Sequence, residues 1–262
     1  MKNKLFIAIG LMLLTTNLVS AQYITRFVKS GIIEFNKSTN MYALINREIA
    51  LSKDENIFSA KAFEGYKKNH PQIHVSKSNL QFSDNKTLFT PEVDEDDNST
   101  NNWFDIPMSQ QFNTTYTDIN SSTKLSQKKV FEETFLVKDS IAKIKWKITG
   151  ETREILGYTC RRANGLILDS IYVVAFYTDQ IPVVGGPESF TGLPGMILQV
   201  AMPHENVSWI ATKVTDVTIP ATTLVPPKKG KPVTKEQFQG TLKSAMKNWG
   251  VYAQAYLKSL QL

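Results

Sequence analysis

The 262-residue chain is 42% apolar and 21% charged, with 14 Phe, 9 Tyr, 4 Trp and a formal net charge of +6. This aromatic content excludes a chain that is disordered over most of its length, and it predicts a packed globular domain. The single cysteine, Cys160, excludes a disulfide scaffold and a zinc site built from several cysteines.

The N-terminus has the pattern of a secretory signal peptide. Two lysines precede an apolar run over residues 5–14, and a small-residue cleavage site ends at Ala21. This run is too short for a membrane span, which needs about 20 residues. We therefore predict that residues 1–21 are removed and that residues 22–262 form one exported domain, located in the periplasm or, alternatively, secreted.

Strand-forming segments alternate with turns over most of the remaining sequence. Residues 31–35 and 41–45 flank the turn-like segment 36–40, which predicts a β-hairpin. Lysines alternate with apolar residues over 143–148, a pattern typical of an antiparallel sheet with one solvated face. Residues 171–177 are apolar throughout, so we expect a strand that is buried on both faces.

Two segments are predicted to be helical. Ser52, with a glutamate three residues on, has the spacing of a capping box, and apolar residues recur at helical spacing over 53–69. Thr234, with a glutamine three residues on, begins an amphipathic stripe over 234–259, where we expect one helix bent at Gly250.

Two further segments have the composition of loops. Residues 91–102 are acidic and rich in Ser, Thr and Asn, while residues 220–233 contain Pro, Lys and Gly and are predicted to be a linker. Strands in the middle of the chain with helices towards its ends predict an α+β, mainly β domain with a large antiparallel sheet.

Charge is unevenly distributed along the chain. Residues 84–118 hold eight acidic residues and one lysine, whereas residues 228–262 hold seven lysines and one glutamate. The basic C-terminal segment is either a solvated helix face or a surface that contacts anionic lipid headgroups. An exported chain without clustered arginines is not expected to bind nucleic acid.

Patterns for metal binding and catalysis are incomplete. Residues 94–98 resemble a calcium loop, but Ser99 stands where such loops need glycine. His70 and His74 have a metal-ligand spacing, yet a proline between them breaks the helix that this spacing requires. The arginines next to Cys160 favour a lowered thiol pKa, although a buried strand residue is the simpler interpretation. We assign no catalytic residue, metal or cofactor.

Residues 181–200 form the most specific segment of the sequence. The run Gly192-Leu193-Pro194-Gly195 predicts a type II turn, because proline presets φ at one central position and glycine provides a positive φ at the next. Pro187 is expected to begin a short helical turn. Residues 196–202 are expected to continue as a buried strand.

This segment resembles the hallmark of the GLPGLI family, a group of exported Bacteroidota proteins without an established activity. Further matching segments lie at residues 157–163, 176–182 and 186–190, and Met196 stands where the name motif has leucine. The resemblance spans roughly residues 25–217. It implies a cell-envelope protein, often encoded near TonB-dependent outer-membrane receptors.

The GLPGLI resemblance also suggests glycosylation, because O-glycosylation in this phylum follows a short pattern that the chain contains twice, around Ser140 and Ser170. A looser fold-level similarity links the chain to LolA-like periplasmic lipoprotein carriers. It implies a half-open barrel, in which a large curved antiparallel sheet is closed by a helix of the N-terminal half and a C-terminal amphipathic helix.

These observations lead to a first functional hypothesis, a non-enzymatic binding or accessory protein of the cell envelope. Its partner would be a hydrophobic or peptide-like ligand, or a TonB-dependent receptor. We predict ligand contacts at the rim and inside of an apolar cleft, from Trp146, Gly186, Pro187, Phe190, Leu193, Pro194, Gly195, Met196 and Trp249. The alternatives are a periplasmic peptide hydrolase that uses Cys160 or His204, and a structural envelope scaffold.

Overall fold

The computed structural model describes residues 27–51, 57–92, 106–110 and 112–262. The predicted signal peptide, the capping box at Ser52 and most of the acidic segment 91–102 lie outside these residues. None of the helices in the described part is long and apolar enough to cross a membrane.

Twelve strands within the described residues form one open sheet. They are β1 Ser30–Asn40, β2 Ile73–Ser83, β3 Lys86–Pro91, β4 Thr114–Asp118, β5 Thr123–Val130, β6 Glu133–Ser140, β7 Lys147–Ile155, β8 Tyr158–Ile167, β9 Ile171–Thr178, β10 Met196–Met202, β11 Val207–Asp216 and β12 Lys231–Thr234. Their order is β12-β6-β5-β4-β3-β2-β1-β11-β10-β9-β8-β7. All neighbours are antiparallel except β12 and β6. The prediction of a mainly β, half-open barrel is confirmed.

The hairpin predicted over residues 31–45 is wrong. Strand β1 runs straight through 36–40, because it pairs with β2 as far as Asn40 opposite Ile73. The next residues form helix α1, Met41–Leu51, and the Asn40 side chain accepts a hydrogen bond from the Ala43 amide at 3.1 Å. An N-cap of this kind starts a helix at the point where the turn and second strand were expected.

The remaining helices are α2 Ile57–Asn69, α3 Pro107–Gln110, α4 Lys235–Ala245 and α5 Tyr252–Gln261. The helix predicted over 53–69 is present from residue 57. The single C-terminal helix predicted over 234–259 is instead two helices, because Gly250 lies between them with a φ of 56°. The predicted linker 220–233 ends in β12, whose short Lys-Pro-Val-Thr sequence carries no strand pattern of its own.

Burial partly follows the predicted pattern in the other strands. Strand β9 is buried at every position from Ala175 onwards, but Tyr172 and Val174 are half-buried. Ile148, expected on the buried face, is 46% exposed, because β7 is an edge strand of the sheet.

The apolar core of the described residues falls into two clusters. The larger joins the two halves of the sheet with α1 and α2. The smaller joins β5 and β6 to the two C-terminal helices through Val130, Phe135, Val137, Phe238, Leu242, Met246 and Leu260. Buried polar side chains of β1, β4 and β5 lie among these strands, at Lys37, Thr115, Ser126 and Lys128.

Candidate functional site

A cavity of about 400 Å³ opens where the two ends of the curved sheet approach each other. One wall comes from β5, β6 and α4. The opposite wall comes from residues 142–144, residues 166–169 at the turn after β8, and Ser189 and Phe190. We call this cavity the mouth pocket. Its size is within the range of small-ligand sites, about 300–1,000 Å³.

Apolar side chains line several sides of the mouth pocket, namely Val137, Ile144, Leu166, Ile167, Leu168, Phe190, Phe238 and Leu262. Leu166 is 58% exposed, so its side chain is accessible to a ligand. Phe190 also lines the pocket but is almost fully buried, and the centre of its ring lies 5.8 Å from that of Trp209. The pocket therefore offers apolar contact area to a ligand.

Charged groups lie on the wall formed by β5, β6 and α4. Asp139 on β6 forms ion pairs with Lys124 on β5 at 3.4 Å and with Lys235 on α4 at 3.3 Å. The side chain of Asp139 is only 11% exposed. Burial lowers the pKa of Lys124, and the nearby carboxylate of Asp139 opposes this shift.

Lys128 lies four residues further along β5, so its side chain is on the same face as that of Lys124. It is buried, lines the mouth pocket, and donates a hydrogen bond to the carbonyl of Leu260 at 3.2 Å. Burial is the main cause that lowers its pKa to about 7, and the charge of Lys124 adds to the effect. An amine of this kind changes its charge near neutral pH.

Two further buried charges lie close to Lys128. Glu188 interacts electrostatically with both Lys37 and Lys128, and its carboxylate accepts a hydrogen bond from Asn113 at 3.3 Å. Burial raises the pKa of Glu188 and lowers that of Lys37. The ammonium of Lys37 lies 5.3 Å from the ring centre of Trp209, its partner across β1 and β11. One carboxylate thus faces two lysines inside the sheet.

None of these charged residues was predicted from the sequence. Lys37 was predicted to lie in a turn. In the structure it lies on the same buried face of β1 as Ile33 and Phe35, two residues apart from its neighbour on that face. That period of two would have indicated an inward-facing lysine. Lys124 and Lys128 also share one face of β5. Which face of this strand points inward became clear only from its pairing with β6.

The predicted site residues are divided among different environments. Phe190 lines the mouth pocket, and Trp146 lies beside it, donating from its indole nitrogen to the carbonyl of Thr191 at 2.9 Å. Leu193 and Met196, expected at the rim of the cleft, are buried, whereas Pro194 is exposed. Gly186, Pro187 and Gly195 are buried as well. The structure thus brings Trp146 and Phe190 together near the pocket.

Trp249 was expected inside the apolar cleft, but it does not line the mouth pocket. It is 36% exposed and contacts Phe131 and Tyr256, with ring centres at 5.5 and 5.2 Å. Trp249 lies in the turn between α4 and α5. Because it is outside both helices, the helical spacing that predicted its side chain to face the sheet does not apply.

The turn at residues 192–195 also differs from the prediction. A type II turn would use the amide of Met196 to bond Leu193, but this amide donates to Ile181 at 3.0 Å. The amide of Gly195 bonds the carbonyl of Leu193 instead, at 2.8 Å, which closes a three-residue γ-turn around Pro194. The expected positive φ of Gly195 is present, at 139°.

The residues considered for catalysis do not line the mouth pocket. Burial raises the pKa of Cys160 to about 12, which supports the preferred interpretation as a buried strand residue and not the alternative of activation by neighbouring arginines. His204 is exposed in the connection between β10 and β11. Within the described ranges, no group of three or more His, Cys, Asp and Glu side chains is arranged to hold a metal ion.

Similarity to solved structures is consistent with this architecture. The chain resembles a structure of PNGF-II in space group C2, with 16% identity and a TM-score of 0.51. This similarity covers 81% of the present chain and 32% of the PNGF-II chain. A second PNGF-II structure, in space group P21, matches at 17% identity with a TM-score of 0.49. The chain therefore spans about a third of these proteins, and the likeness shows the fold alone.

Sequence comparison identifies a family. No curated protein matches the sequence. A family model for the N-terminal domain of N-glycanase peptide matches residues 65–235, which is more than half of the chain. The GLPGLI and LolA-like resemblances differ from this family and stay predictions. The chain belongs to the family of N-glycanase peptide N-terminal domains.

Proposed function

We propose that this chain is a non-catalytic binding module of the cell envelope that holds a sugar-bearing peptide in its mouth pocket. The name of the matched family refers to N-glycanase, which motivates a glycan-related ligand. Fold similarity does not transfer an activity, so the proposal depends on the pocket itself.

The observation that carries the proposal is the mixed character of the mouth pocket. Exposed Leu166 and the neighbouring apolar side chains provide a surface for a peptide or for the apolar face of a sugar ring. The lysines and Asp139 on the other wall provide donors and an acceptor for hydroxyl and amide groups. Such a combination of apolar area with a few polar groups is typical of small-ligand sites.

The proposal also includes export of the protein and a partner in the outer membrane. A leader ending at Ala21 would deliver the protein to the periplasm, where it would act alone or beside a TonB-dependent receptor. The peptide-hydrolase alternative is less well supported, because Cys160 keeps its proton and lies outside the pocket.

Calorimetric titration with a synthetic N-glycopeptide and with the same peptide without sugar tests this function. We expect the glycopeptide to bind and Leu166→Gln to weaken its binding about 5-fold or more, since one apolar contact is lost. Leu156→Gln is the matched control, because Leu156 is 45% exposed and lies outside the pocket.

Two results would contradict the proposal. If neither peptide binds the unaltered protein, the mouth pocket is not a site for this class of ligand. If the peptide without sugar binds equally well, the ligand is peptide-like and the glycan-related part of the proposal is wrong.

A further inference from the structure

The mouth pocket contains more positive than negative charge. Four of the described lining residues are lysines, and two are aspartates: Lys124, Lys128, Lys143, Lys235, Asp139 and Asp169. Three of these lysines, Lys124, Lys128 and Lys235, lie on the wall formed by β5, β6 and α4. The charge balance therefore bears on the kind of ligand that the pocket accepts.

Asp139 cannot neutralise the lysines around it. Its single carboxylate is shared by Lys124 at 3.4 Å and Lys235 at 3.3 Å, which leaves one positive charge uncompensated when all three groups are ionised. Both distances exceed those of strong charge-assisted hydrogen bonds, about 2.7–2.9 Å. The lysines can therefore turn towards another anion without breaking a tight pair.

Lys128 adds a second uncompensated charge when it is protonated. Among the described residues, no carboxylate lies within ion-pair distance of its ammonium, which bonds only the Leu260 carbonyl. Glu188, the carboxylate behind it, is shared with Lys37. A buried cation that lacks its own counter-ion is costly, and a bound anion removes that cost.

We propose that the mouth pocket selects glycans that carry a negatively charged group, which Lys124, Lys128 and Lys235 hold together. This inference rests on the proposed function and specifies its ligand class. A partly enclosed recess with apolar walls concentrates the field of these three ammonium groups, which strengthens their attraction for an anion. The shared chemistry is an anionic oxygen group on a sugar, either a carboxylate or a sulfate.

Binding of such an anion is linked to protonation of Lys128. The groups that act on this amine are Lys124 on its own strand, Asp139 on β6, Lys235 on α4 and Glu188 in the loop before β10. With a pKa of about 7, Lys128 is only partly charged at neutral pH. A bound anion raises that pKa, so binding takes up a proton and weakens as the pH rises above 7.

The test compares trigalacturonate with its fully methyl-esterified, neutral form by calorimetric titration at low salt. We expect the acid to bind about 10-fold more tightly or better, with the difference shrinking as salt is added. A sulfated galactose oligomer in a parallel titration distinguishes carboxylate from sulfate recognition. Titration in two buffers of different ionisation enthalpy measures the proton uptake.

Two substitutions test whether the preference for the acid and the proton uptake arise in the mouth pocket. Lys128→Met should abolish the proton uptake and most of the preference for the acid. Lys145→Met is the matched control, because Lys145 is exposed and lies outside the pocket, and it should leave both unchanged. Urea unfolding of each variant confirms that it is folded.

The outcomes separate this inference from the function on which it rests. Equal binding of acid and ester, or binding of the neutral glycopeptide alone, overturns anion selection and leaves the proposed function intact. Preference for either the carboxylate or the sulfate supports anion selection and identifies the group. If no sugar or glycopeptide binds, the proposed function fails, and the inference falls with it.

Discussion

Gly195 lies at a close approach between the turn before β10 and the end of β9. Its φ of 139° is unfavourable for residues with a side chain, and a Cβ at this position would overlap the carbonyl oxygen of Thr178. The clash involves backbone of the neighbouring strand β9, so a rotamer change cannot relieve it. The turn at residues 192–195 therefore determines how β10 enters the sheet. This structural requirement is sufficient to explain why residue 195 is a glycine, without a role in ligand binding.

Gly195→Ala should destabilise the protein by about 3 kcal/mol or more, because it combines backbone strain with overlap of fixed atoms. Gly157→Ala is the control. Gly157 has a φ of 80° but open space around its Cβ direction, so we expect a loss of only about 1 kcal/mol. Urea unfolding curves measure both values. Equal losses would show that the contact with Thr178 does not matter.

Helix α4 illustrates an element that is determined by local sequence. The hydroxyl of Thr234 accepts from the Gln237 amide at 3.3 Å, and the Gln237 side chain accepts from the Thr234 amide at 2.9 Å. Both partners lie within one turn, so the capping box could be predicted without knowledge of the fold. Helix α1 was missed because its start depends on how far β1 pairs with β2, a contact between distant segments.

Thr234→Ala should lower the free energy of unfolding by about 1 kcal/mol, since it leaves the amide of Gln237 without its partner. Thr234→Ser keeps the hydroxyl and should remain close to the unaltered protein. Denaturant titration followed by circular dichroism measures the difference. A loss as large for serine as for alanine would assign the effect to β12 packing instead of capping.

At the scale of the whole molecule, charges buried inside the sheet make stability depend on pH. Lys128 has a pKa of about 7 in the folded state against an ordinary value of 10.5. Between these values the unfolded chain binds more protons at this residue, so stability rises with pH. The raised pKa of Glu188 acts in the opposite direction, and its contribution falls as the pH rises from 4.5 through the folded value.

We therefore expect stability to increase by about 2 kcal/mol from pH 7 to pH 9 through Lys128 alone. Lys128→Met should remove this slope and should be more stable than the unaltered protein at pH 7, because an apolar side chain replaces a buried amine. Urea unfolding at the two pH values provides the comparison. An unchanged slope in the variant would show that Lys128 keeps an ordinary pKa in the folded state.

The candidate site could be predicted from sequence only in part. Phe190 was identified because its turn-rich surroundings are visible within 20 residues of sequence. The lysines were not, since the mouth pocket joins β5, β6, α4 and the segment before β7, and only the curvature of the sheet brings these together. The mainly β class could be predicted, because each strand has its own local sequence pattern.

The pairing of β1 with β11 has a consequence for assembly. These neighbours join residues 31–39 to residues 207–216 at the centre of the sheet. On a ribosome or a translocation channel, β1 can pair with β2 early, but its other neighbour, β11, exists only after most of the chain has emerged. Strands β1 to β6 on one side and β7 to β11 on the other can each pair earlier, because neighbours within each side are consecutive in the chain. The seam between β1 and β11 therefore closes late, and premature release would leave two separate half-sheets with exposed edges.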